Sequence, residues 1–81
     1  MAAEQGRAST QLYLGDMYRK GEGVLQNDIL AHMWLNISGA NGDEDARKNR
    51  DIVAERMTPQ DISAAQEQAR VCMNTGYQEC D

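Results

Sequence analysis

The chain has 81 residues, a net charge of −5 and a pI near 4.7, with one Trp, three Tyr, no Phe and a single Pro. A chain of this length forms one domain with a limited core, so something further is expected to help hold it together. The charge excludes a phosphate-backbone partner: Arg47, Lys48 and Arg50 are interleaved with Asp43, Glu44, Asp45 and Asp51, which reads as a solvated mixed-charge helix face rather than a basic patch. No apolar run approaches the roughly 20 residues needed to span a bilayer, so no membrane insertion is expected.

Strands are not expected, because β-branched alternating runs are absent and the apolar residues recur at helical spacing. Met1 to Gly6 reads as the last turn of a preceding helix closed by its glycine, as though the chain were the tail of a longer protein. A first helix is predicted from about Ala8 to Lys20, with Leu14, Gly15, Met17 and Tyr18 on one face and Gly21 ending it. Gly15 costs about 1 kcal/mol in a helix interior relative to Ala, which suggests that another helix must approach there. Gly21 to Asn27 is a loop, with Val24 plugging the hairpin end and Asn27 or Asp28 capping the next helix.

The second helix, about Asp28 to Asn41, carries Ile29, Leu30, Ala31, Met33, Trp34, Leu35 and Ile37 and is apolar nearly all round, so it must be covered on more than one side. Asp43, Glu44 and Asp45 suit the N-terminal dipole of a third helix, predicted to reach Met57 with Ala46, Val53 and Met57 facing inward. Thr58-Pro59-Gln60-Asp61 is a clear start signal for a fourth, carrying Ile62, Ala65, Ala69 and Cys72 on one stripe up to Gly76.

A spacing recurs. Gly6 and Gly42 stand 36 residues apart with small residues around them, Ala2-Ala3-x-x-Gly6-x-x-x-Thr10 and Ser38-Gly39-x-x-Gly42-x-x-x-Ala46, and the pattern returns altered as Cys72-x-x-x-Gly76-x-x-x-Cys80. A period of this length is that of a helical-hairpin repeat. The predicted fold is all-α: two antiparallel helical hairpins, about four helices, stacked as a fragment of an α-α superhelix. An open hairpin face at the N-terminal end makes weak self-association an expectation.

The residues Leu14-Gly15-x-Met17-Tyr18-x-x-Gly21-x-Gly23-Val24, then Asp28-x-x-Ala31-x-x-Trp34, and Gly42 resemble the signature of Sel-one-like repeats, relatives of the tetratricopeptide repeats. The resemblance covers one full repeat over about residues 3–41. Residues 42–76 are similar to a degenerate terminal hairpin, with Arg50, Asp51 and Ala54 where the Leu-Gly and Tyr positions would fall, and 77–81 form a tail. The resemblance implies an interaction or scaffold module that binds a protein or peptide in a groove, with no cofactor and no catalysis. If helices one and three line the concave side, as in related arrays, Ser9, Leu12, Asp16, Lys48, Ile52 and Glu55 project into that groove, with Leu12 and Ile52 as its exposed apolar members; the bland reading is that all six are solvated. A terminal cap without a ligand of its own is an alternative, and a cell-wall or β-lactam-binding role a remoter one.

Cys72 and Cys80 are too far apart for a C-x-x-C motif but suited to tying a helix end to the segment after its turn. Two free thiols, or metal or redox chemistry, are the alternatives. The tail is similar to that of the secreted cysteine-rich branch of these proteins, and a disulfide would place the chain in a periplasmic or secreted setting; without one, a cytoplasmic setting stands. Other chemistry is thin. His32 lies four residues after Asp28, most simply a surface i,i+4 contact; one His and two Cys do not complete a zinc site; Gly21-x-Gly23 lacks the lysine of a phosphate loop; and Asn36-Ile37-Ser38 is a glycosylation match inside a helix.

Overall fold

The computed structural model describes residues 2–80, with side chains from Arg7 to Cys80. It is all-α, with four helices: α1 (Ala2–Lys20), α2 (Asp28–Ala40), α3 (Glu44–Ala54) and α4 (Pro59–Asn74). Three of the four starts follow the capping chemistry of the sequence. The side chains of Asn27, Asp43 and Thr58 accept from the backbone N–H of Leu30, Ala46 and Asp61, and Pro59 takes the first turn of α4.

Two boundaries differ from expectation. α1 begins at Ala2 rather than near Ala8, so Gly6 lies inside a helix and does not terminate one. The residues around it favour helix, and one interior glycine costs only about 1 kcal/mol. Ala2 and Thr10 are therefore not the two sides of a turn, although Ser38 and Ala46, and Cys72 and Cys80, are. α3 stops at Ala54 instead of Met57, because Thr58 must be extended before Pro59 (ψ 159°) and the chain tightens ahead of it into i→i−3 turns at Glu55, Arg56 and Met57.

The ends of α2 and α4 are built alike. Gly42 (φ 106°) and Gly76 (φ 65°) carry the chain out of the helix in the left-handed half of backbone space. The next N–H then reaches back five residues, from Asp43 to Ser38 O at 3.1 Å and from Tyr77 to Cys72 O at 2.7 Å. This is the glycine-terminated closure that satisfies the last carbonyls of a helix.

α2 is the hub. α1, α3 and α4 all pack on it, and α1 also touches α3. α1 and α2 form a tight antiparallel hairpin: Ser38 Oγ donates to Ala8 O at 2.6 Å, Asn41 Nδ2 to Gln11 Oε1 at 2.8 Å, and Asn27 N to Tyr18 O at 3.0 Å. α3 then runs back along α2, with Arg47 donating to Gly39 O, Arg50 to Asn36 Oδ1, and Arg56 to both Asp28 and Arg19 O. α2 therefore separates two buried clusters. Ala31 and Leu35 meet Ala46 and Val53 of α3, with Leu12, Tyr18 and Met57 around them; Met33 and Ile37 meet Ala69 and Cys72 of α4, with Leu30, Trp34, Tyr77 and Cys80 around those. α3 and α4 make little contact with each other. They reach α2 from different sides of the first hairpin, which is why a helix apolar nearly all round can be buried by so short a chain.

Candidate functional site

The six residues expected to line a groove along α1 and α3 do lie on neighbouring helices, but they differ in what they do. Ser9, Lys48 and Glu55 are exposed, and Ile52 is 52% exposed. Asp16 is half-buried and engaged, bonded to Arg19 Nε at 3.1 Å and accepting from Asn49 Nδ2 at 3.1 Å. Leu12, expected to be exposed, is half-buried against the Ala31–Leu35–Ala46–Val53 cluster, since α3 approaches α1 closely enough to cover it. Ile52 is thus left as a lone exposed apolar residue between charges, which by itself marks nothing.

A cleft opens elsewhere, between α2, α4 and the tail, where α3 contributes no residue. Its volume is about 950 Å³. Ile29, Leu30 and Trp34 of α2 and Val71 of α4 give it an apolar lining, and Glu67 and Gln68 of α4 with Gln78 and Glu79 of the tail give it a polar one. The helical stripe in the sequence marks these positions only as buried faces. Whether a neighbour fully covers them depends on where α4 lies, which no local pattern encodes.

The tail that forms one wall is held at both ends. Cys72 and Cys80 are joined in a disulfide (S–S 2.00 Å, Cα–Cα 4.4 Å), and no cysteine is left free. Thr75 Oγ1 accepts from Glu79 N and itself donates to the end of α4. Between these points Tyr77, a non-glycine residue at φ 68°, packs on the cluster that α2 and α4 form and reaches the first hairpin. Its hydroxyl accepts from Asn41 Nδ2 at 3.3 Å, which lowers the phenol pKa, and the Arg7 guanidinium sits 5.1 Å from the ring centre. The tail is thus anchored on α1 and α2 as well as on α4.

His32 is not a surface residue. It is 3% exposed, and Asp28 pairs with Arg56 at 2.8 Å instead. Its Nδ1 has no hydrogen-bond partner, and its pKa is lowered first by burial and then by the Arg50 charge, against an opposing pull from Asp51. A neutral, enclosed imidazole has no access to a substrate. Trp34 Nε1 is likewise buried without a partner. Among the described residues no group of three or more His, Cys, Asp or Glu could hold a metal ion, and no helix is long and apolar enough to cross a membrane. The Asn36-Ile37-Ser38 triplet lies in α2 with Ile37 and Ser38 fully buried.

No protein-family model, curated protein or solved structure matches this chain.

Proposed function

We propose that this chain is a protein-interaction module of Sel-one-like type that binds a protein or peptide segment in the cleft between α2, α4 and the tail. One observation carries the reading: an apolar lining from two different helices lies open beside a tail fixed by a disulfide and by Tyr77. These apolar side chains are half-buried, and accessible apolar surface against a fixed wall is what a recognition groove requires, since little ordering entropy then opposes binding. The only imidazole is enclosed, which favours binding over acid–base catalysis. The disulfide favours a periplasmic or secreted setting.

A second reading, the terminal cap of a longer array, is favoured by the outer face of α3, where Glu44, Asp45, Lys48, Asp51 and Glu55 are all exposed. Repeat arrays end in such polar faces. The two readings are compatible, since the cleft lies away from α3. Weak self-association through the open hairpin face at the N-terminal end belongs to the same proposal.

Trp34, the only tryptophan, lines the cleft and reports its occupancy. Peptides selected from a random display library on the oxidised chain are expected to shift Trp34 emission and to lose affinity in Val71→Ser, with helicity retained. Selected peptides that bind without changing Trp34 emission and are indifferent to Val71→Ser overturn the assignment of the cleft.

A further inference from the structure

The charges around the cleft select a class of partner, an inference that rests on the binding reading above. Two carboxylates line it, Glu67 on α4 and Glu79 on the tail, and no lysine, arginine or histidine does. Glu67 is paired with Arg70 across an exposed helix turn, a contact that water and salt weaken. Glu79 has no ion pair among the described residues; its placement comes from its backbone N–H, which is tied to Thr75 Oγ1 at 3.1 Å. The carboxylate is therefore carried on a fixed backbone without an internal cation. Leu30, Trp34 and Val71 line the same cleft, and the whole chain has a net charge of −5.

We infer that the cleft takes a basic amphipathic segment of a partner protein, with apolar side chains seated on Trp34, Leu30 and Val71 and lysine or arginine reaching Glu67 and Glu79. An acidic segment would meet two like charges, of which only Glu67 has a cation beside it, the exposed Arg70 outside the lining, and this costs affinity and slows encounter. An uncharged apolar segment would use the floor and leave the rim idle.

Three synthetic nine-residue peptides test this, sharing one leucine pattern and carrying lysine, serine or glutamate at the intervening positions, titrated against the oxidised chain with Trp34 emission as readout. The lysine peptide is expected to bind about five- to tenfold tighter than the serine peptide and the glutamate peptide weakest, with the difference shrinking in high salt. In Glu67→Lys/Glu79→Lys the order should reverse. In Glu44→Lys/Asp45→Lys, which makes the same change in net charge on α3, it should persist. Equal binding of the lysine and serine peptides, an unchanged order in the cleft variant, or a reversal in the α3 variant overturns the inference while the cleft remains a binding site. If none of the three peptides binds, the binding reading itself falls, and this inference with it.

Discussion

A Cβ at Gly15 would stand 2.7 Å from both Cγ and Cδ2 of Leu35, and 3.2 Å from the Leu35 backbone nitrogen. Leu35 is fully buried and cannot swing aside, so the missing side chain is what lets α1 and α2 close. Gly15→Ala should therefore destabilise the fold even though alanine is the better helix former by about 1 kcal/mol, and Gly15→Leu should cost roughly 1–3 kcal/mol or more. Gly39 is the control. A Cβ there meets Arg47 Cγ at 2.7 Å, but Arg47 is an exposed flexible side chain that can shift at the expense of its hydrogen bond to Gly39 O, so Gly39→Ala should cost less. Urea unfolding of the variants decides it, and equal stability of Gly15→Ala and the parent chain would contradict the packing argument.

Ser38 is a polar residue with no exposed surface, and its hydroxyl crosses the hairpin to Ala8 O. Ser38→Ala removes this tie while leaving the volume almost unchanged. The Ala8 carbonyl loses one of its partners, so a loss of about 1 kcal/mol is expected, seen as a lower urea midpoint with an unchanged slope. A changed slope would instead indicate that the hairpin opens.

The register of helices was legible in the sequence wherever side chains act on their own backbone. Asn27 and Thr58 cap, Pro59 opens α4, and Gly21 and Gly76 end α1 and α4, because each of these is a local hydrogen bond or a local dihedral. Gly6 marks the limit of that signal: a glycine ends a helix only where its own backbone turns left-handed, and α1 runs through Gly6. The cleft was not legible. Trp34 and Leu30 carry the same apolar signal as Leu35 and Ala31, and what distinguishes them is that α3 covers one face of α2 whereas α4 only partly covers the other. The burial of His32 was not legible for a similar reason, since its distance to Asp28 along the helix says nothing about α3, whose Arg50 and Asp51 charges act on it.

Burial holds the His32 imidazole neutral in the folded chain, with a pKa below the ordinary value of about 6.5 that it regains on unfolding. The unfolded state therefore binds the proton more readily. The contribution of His32 to stability is complete above about pH 6.5 and is lost as pH falls below it toward the folded pKa. Thermal unfolding followed from pH 7.5 down to pH 5 should show declining stability, and His32→Gln should flatten that decline. Parallel pH profiles for the two chains would show that His32 has no part in it.

The Cys72–Cys80 bridge fixes the wall of the cleft more than it holds the fold. Its loop is short, so the chain-entropy account gives about 2–3 kcal/mol, and the tail it closes touches the remaining structure through Tyr77 and Cys80. Tyr77 sits at φ 68°, a conformation that costs a non-glycine residue of the order of 1–3 kcal/mol and persists only while its surroundings impose it. With Cys80 released, Tyr77 can return to negative φ, the Asn41 hydrogen bond and the Arg7 contact are given up, and the cleft that Trp34 lines loses its Tyr77 wall. The cluster of Ala31, Leu35, Ala46 and Val53 lies across α2 and does not depend on the link. Reduction by a small dithiol, or Cys72→Ser/Cys80→Ser, should therefore leave helicity near its oxidised value, speed amide exchange from Thr75 to Cys80, and move Trp34 emission to the red. Peptide affinity at the cleft should fall in the same samples. Unchanged exchange at these amides and unchanged Trp34 emission after full reduction would mean that the tail is held by its side chains alone.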